Sequence, residues 1–230
     1  MAATANPSGV LPAALAFTAG FVDTFGFIAL FAFFTAHVTG NFVVLGAALV
    51  QPIRGLVAKL LALPMFILSV AGVRIYSRSL EKRKRAAAPR LLALEGVLLL
   101  VFLAMGVASS PIVDADSLLA IATALSGVVA MGVQNAASRT VFASLSPTTV
   151  MTGNVTQLVL DGVDLLAGVD EGARASLRAR MRRFWPPVVF FGFGAVAGAI
   201  GYRSAGFVCL AVPAALVLFL AIRTRNEPAT

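Results

Sequence analysis

Metal-ligating and acid–base side chains are scarce in this chain: one cysteine, one histidine and ten acidic residues in 230 positions. The lone Cys209 excludes an internal disulfide and any multi-cysteine metal site. Within its apolar run it is expected to be a buried, inert thiol. The lone His37, with no second histidine or cysteine, speaks against a metal centre. There is no Gly-rich phosphate loop, no G-x-S-x-G and no H-E-x-x-H. No polar segment is long enough for a soluble domain. These absences argue against an enzyme, against a bound cofactor and against ATP-driven transport by this chain alone. Charge is scarce as well, at 12% of residues, where a soluble domain carries about a quarter.

Apolar residues fill the gap, at 59% with a mean hydropathy of +0.93. The expected class is an all-α, polytopic integral membrane protein in contact with the lipid bilayer. The net charge of +8 does not signal nucleic acid, because the cations cluster between apolar runs. The opening MAATANPSGVLPAALAF has no basic n-region, so no cleaved signal peptide is expected.

About 20 apolar residues cross a bilayer as helix. Runs of that kind cover residues 13–33, 56–75 (with Pro64 as a tolerated kink), 91–108, 118–138, 185–202 and 206–222. Two further apolar pieces, 36–50 and 147–163, are short. If neither short piece crosses, six spans result and both termini are cytoplasmic. The cytoplasmic side then holds 14 of the 18 Lys and Arg, mostly in loops 74–90 and 164–183. If both cross, one basic cluster faces outward, against the positive-inside rule. The pattern therefore predicts six transmembrane helices plus two short re-entrant or broken helices.

Those short pieces carry a repeat. Thr39-Gly40-Asn41 recurs as Thr152-Gly153-Asn154, at an offset of 113, while upstream Gly20 aligns with Gly132 and Asp23 with Asn135 at an offset of 112. This reads as an internal duplication, about 1–112 and 113–230. Three crossings per repeat make the second half inverted, so the Thr-Gly-Asn segments enter from opposite faces. Interrupted helices of that kind build permeation sites in transporters, because unwound backbone offers groups to a solute. Thr39, Gly40, Asn41, Thr152, Gly153 and Asn154 are thus expected to line a site for a small solute or ion. Close glycine packing with Thr and Asn bonding between helices is the structural alternative.

Asp23 sits within the first span, where a carboxylate needs a cavity or a partner. It suits proton or cation coupling; a structural pair with Asn135 or Arg139 is the alternative. His37 can relay protons or simply face headgroups and water. The two lie 14 residues apart, ~21 Å on a continuous helix. Gln134 and Asn135 add polar lining. Arg139 is an anion site or the partner of Asp23 if its helix runs to about residue 143, and snorkels to the surface if that helix ends earlier. Glu95 is expected to reach the interface, and Asp161 and Asp164 to be solvated. Gly194 and Gly198 form a packing face, with a dimer contact as one use, and a homo-oligomer is plausible for so few spans. Residues 81–90 set topology, with anionic lipid binding as a second use.

Ala19, Gly20, Asp23, Gly26 and Phe27, followed by His37, Thr39, Gly40 and Asn41, resemble the signature segment of the YoaK family, bacterial inner-membrane proteins built on a domain of unknown function. Gln134, Asn135 and Thr152 to Asn154 are similar to its second block. The resemblance spans most of the chain and implies the bacterial cytoplasmic membrane, but no activity. The leading expectation is a transporter or channel-like protein with its site between the Thr-Gly-Asn segments; the alternative is a scaffold or lipid-interacting protein.

Overall fold

The computed structural model describes residues 7–226. Residues 1–6, which bear on a leader segment, and 227–230 lie outside the described part. Eight α-helices run through it: α1 (Pro7–Ala29), α2 (Gly40–Ala47), α3 (Leu56–Lys82), α4 (Ala88–Ser109), α5 (Leu118–Arg139), α6 (Thr152–Ala167), α7 (Glu171–Ala205) and α8 (Ala211–Arg225). A 3-10 turn, Gly206–Leu210, joins the last two. No strand occurs among the described residues.

Five helical stretches are long and apolar enough to cross a membrane: Gly9–Ala29, Leu56–Lys82, Ala88–Ser109, Leu118–Arg139 and Glu171–Arg225. The last is interrupted at Gly206, whose φ of 55° ends α7. The chain is a multi-pass, all-helical membrane protein. At 8 residues α2 is about 12 Å long, too short to cross. With 16 residues α6 reaches about 24 Å, still less than the ~30 Å hydrocarbon core.

Several boundaries differ from the hydropathy reading. The first span stops at Ala29, not residue 33, because Phe31 and Ala32 take left-handed φ of 57° and 59°. Helix α3 continues past residue 75 to Lys82, carried by the buried stripe Val73, Ser77 and Leu80. The expected loop 164–183 is helical from Glu171 onward. Hydropathy marks where a helix leaves the apolar layer; charged helix formers can extend it into water. The expected link Tyr202–Ala205 is the last turn of α7, and the break falls at Gly206.

Glycines set the closest approaches. α1 packs along α7. A methyl group on Gly20 would strike the Phe191 carbonyl, one on Gly194 that of Phe17, and one on Gly198 that of Phe21. Gly194 and Gly198 are thus spent within the chain, on α1, rather than on a dimer contact. α5 packs along α3 in a related way: Gly132 faces Ser69, whose hydroxyl donates to the Val129 carbonyl at 2.9 Å. Helix α4 lies against both α5 and α8, α2 lies on α3, and α6 on α7. At the centre, Phe25 meets Phe207, Tyr202 and Phe102 edge-on, at 5.1, 5.4 and 5.8 Å between centroids. Such aromatic pairs add to area burial and lock α1, α4, α7 and the 3-10 turn together.

Candidate functional site

The site begins where α1 stops. Non-glycine residues in the left-handed region cost on the order of 1–3 kcal/mol each, and Phe31 and Ala32 are held there by neighbours. Lys59, 1% exposed, donates from Nζ to the carbonyls of Phe31 (2.8 Å), Arg54 (2.7 Å) and Gly55 (3.3 Å). The Arg54 guanidinium stacks over the Phe31 ring at 4.4 Å. The chain therefore doubles back, and residues 33–38 run alongside the last turns of α1.

Asp23 fastens that return. Its Oδ1 accepts from the backbone N–H of Thr35 (2.9 Å), Ala36 (2.7 Å) and His37 (3.3 Å) and from the Thr35 hydroxyl (3.3 Å). Its Oδ2 lies 2.6 Å from His37 Nδ1. The pairing overturns the ~21 Å separation expected for a continuous helix, because the reversal at Phe31–Ala32 brings the two together. It also replaces the expected partners: Asp23 engages neither Asn135 nor Arg139.

The two carboxylate oxygens have separate tasks. Oδ1 satisfies backbone donors that the break in the helix leaves open, groups that cannot stay unpaired in an apolar medium. Oδ2 and the imidazole face a cavity of about 390 Å³ lined by Asp23, Thr24, Phe27, Phe34, His37 and Phe191. The histidine side chain is 32% exposed against 7% for the aspartate. Its ring is edge-on to Phe34 and Phe191, at 6.4 and 5.8 Å. The arrangement is an acid–base pair with its acid buried and its base at an aromatic-walled opening. It can pass a proton or meet a small polar solute.

Neither Thr-Gly-Asn segment contributes to the lining of this cavity. Asn41, 1% exposed, accepts from Phe34 N–H at 3.0 Å and donates to the Phe34 carbonyl at 2.9 Å. Asn154 donates to the Pro147 carbonyl at 2.9 Å, across the same seven residues. Its Oδ1 has no partner, and the reason is chemical: Pro147 has no N–H to give. Thr39 and Thr152 are exposed at the starts of α2 and α6. A Cβ on Gly40 would press on the Phe34 ring, while Gly153 has open space.

In the second half the charged pair has a neutral counterpart. Asn135 donates to the Thr149 hydroxyl at 2.9 Å. Gln134 donates to the Thr148 hydroxyl at 3.0 Å and to the Leu15 carbonyl at 2.8 Å, tying α5 to α1. Arg139 is exposed at the last residue of α5, which ends there and does not run to residue 143.

Three further groups carry structural weight. Lys59, within the apolar run 56–75, is the side chain that secures the reversal. Glu95 does not reach the interface: it is 1% exposed with Oε1 unpartnered. Its neighbours Leu91, Leu92, Gly96 and Leu99 are all buried, and that stripe was the available signal. Asp161 is not solvated. It is 1% exposed and takes Arg180 Nε at 2.8 Å and Gln157 at 2.7 Å. The Arg180 hydrogen bond holds its carboxyl below the usual aspartate range, against the opposing effect of burial. Asp164, by contrast, is exposed as expected.

Residues 11–223 match the model of a family described as "Protein of unknown function (DUF1275)". A curated relative, "UPF0700 transmembrane protein YoaK" from Bacillus subtilis (strain 168), is 30% identical over 151 residues. That match covers 64% of this chain and 64% of the relative. No solved structure matches.

Proposed function

We propose that this chain, which belongs to the DUF1275 family, moves a small solute or ion across the bacterial cytoplasmic membrane, with the Asp23–His37 pair handling a coupled proton. The observation that carries this reading is the 2.6 Å pair at the mouth of a 390 Å³ cavity. An acid and the chain's only histidine are costly to place in an apolar helix bundle. A fastener for the reversal needs Oδ1 alone. The pairing of Oδ2 with a half-open imidazole is left over for proton handling.

The proposed topology is six crossings with both termini cytoplasmic, and α2 and α6 entering without crossing. Residues 1–112 and 113–230 would form inverted repeats. Three features support it: the asparagine clamps of Asn41 and Asn154 span the same distance in sequence, α1 meets α7 as α5 meets α3, and the aligned glycines Gly20 and Gly132 sit at those two contacts. In this reading the Thr-Gly-Asn segments shape the re-entrant connections and the solute passes beside them.

The test is flux in proteoliposomes against panels of anions, cations and neutral metabolites under an imposed pH gradient. At least one solute should move with the wild type and be lost with His37→Gln. A protein that inserts and folds but moves nothing in the panel, with no pH change in the lumen, speaks for a scaffold. Single-cysteine labelling should find residues 83–87 and 168–170 on the same side; labelling from opposite sides removes the inverted topology.

A further inference from the structure

A cavity larger than the one beside Asp23 lies elsewhere in the molecule. The α3–α4 connection and the last turns of α8 enclose about 800 Å³. Four cations stand around it: Lys84, Arg85, Arg90 and Arg225. Its floor is apolar, with Ala93 from α4 and Leu218 and Ile222 from α8. Among the described residues no carboxylate lines it. Among the described residues the ion pairs are Asp23–His37, Arg74–Glu81 and Arg180–Asp161, and none of these four cations takes part. Arg90 gives one donor to the Ala86 carbonyl at 2.5 Å and keeps the others.

This is more than a topology signal. The positive-inside rule asks only that cations lie in the right loops. Here cations from the middle of the chain and from its C-terminal helix converge on one hollow. The other basic stretch, at the start of α7, has Arg180 paired with Asp161 and contributes nothing to this cavity. Guanidinium groups match phosphate oxygens in pairs. Beneath them Ile222 is 62% exposed on a helix that faces lipid, so an acyl chain can follow the floor down. A soluble anion would use the rim and leave the floor empty.

We propose that this cavity is a binding site for an anionic phospholipid, its phosphate held by Arg85, Arg90, Arg225 and Lys84 and one acyl chain laid against Ala93, Leu218 and Ile222. The site is independent of the transport reading.

Native mass spectrometry of the purified full chain, titrated with phosphatidylglycerol or phosphatidylcholine, tests it. Wild type should retain phosphatidylglycerol over phosphatidylcholine by about tenfold or more, and millimolar-scale inorganic phosphate should not displace it. Each cation near an anionic headgroup is worth about 1 kcal/mol, so Arg85→Gln, Arg90→Gln and Arg225→Gln together should weaken retention roughly a hundredfold. Neutralising Arg174, Arg178 and Arg182 should change it less than about threefold. Ala93→Phe fills the floor with every charge intact and should also abolish retention, which decides the matter if the triple variant does not insert. Equal losses in both triple variants, equal retention of the two lipids, full displacement by phosphate, or unchanged retention in Ala93→Phe would each overturn the proposal.

Discussion

His37 Nδ1 lies 2.6 Å from Asp23 Oδ2, while the other oxygen of the same carboxylate holds three backbone N–H groups of residues 35–37. One side chain thus serves both the shape of the connection and the chemistry at its mouth, and substitutions can separate the two. Asparagine keeps a carbonyl oxygen for the backbone donors; alanine keeps nothing. Asp23→Ala should lower unfolding stability in detergent by about 2–5 kcal/mol, from buried donors left unpaired at about 1–3 kcal/mol each. Asp23→Asn should cost less than about half of that. Thermal unfolding of the two variants side by side reads the difference.

The two asparagine clamps are unequal because Phe34 offers an N–H and Pro147 does not. Asn41→Ala removes two hydrogen bonds and leaves both backbone groups of Phe34 open. Asn154→Ala removes one bond to the Pro147 carbonyl and a weak, long contact to the Met151 sulfur. The first should cost about 2–4 kcal/mol and the second about 1–2 kcal/mol. Equal costs would show that the clamps do not carry the connections.

Two glycines of α7 on either side of Phe193 make a sharp comparison. Gly194 lies against the Phe17 carbonyl, with no room for a methyl group, whereas Gly192 has nothing within 4 Å. Gly194→Ala should push α1 and α7 apart and cost at least about 1–3 kcal/mol. Gly192→Ala should be neutral or stabilise by about 0.5–1 kcal/mol, since alanine is the better helix former. Unfolding of each in the same detergent decides it.

The spans were largely readable from apolar run length, since a bilayer imposes a length that chance runs do not reach. The reversal after α1 was not. Leu30 to Phe34 are as apolar as the helix before them, and neither Phe31 nor Ala32 favours the left-handed region it occupies. What places them there is Lys59 and Arg54, more than twenty residues away along the chain. Without that turn, Asp23 and His37 remain two isolated polar residues. The duplicated Thr-Gly-Asn was visible at once, but its role was not: a shared tripeptide fixes no direction, and Asn41 turned inward to its own connection. Asp161 was misread for a similar reason, since its partner Arg180 sits on a helical extension that hydropathy treats as loop.

Asp161 makes the α6–α7 contact sensitive to acid. Its carboxyl is held below the ordinary aspartate value of 3.8 in the fold by Arg180. A depressed folded value stabilises at pH above the unfolded value, and that contribution is lost as pH falls through the folded one. The contact should therefore be pH-independent from neutral down to about pH 4 and loosen below it. In Arg180→Gln the cation that depresses the buried carboxyl is gone, and the acid-induced loosening should largely disappear. Hydrogen exchange of residues 152–167 across a pH series, corrected for intrinsic exchange, measures both.

In the proposed transport, Asp23 and His37 act on a moving proton or solute and do not merely hold a connection in place. Lumenal pH and solute flux in proteoliposomes carrying folded Asp23→Asn or His37→Gln test it most directly, because both substitutions leave the Oδ1 clamp or its amide equivalent intact. Both variants should insert and fold near wild type, yet lose coupled flux by tenfold or more, the scale of a missing general acid or base. Wild-type flux from both, at wild-type coupling to pH, would contradict it.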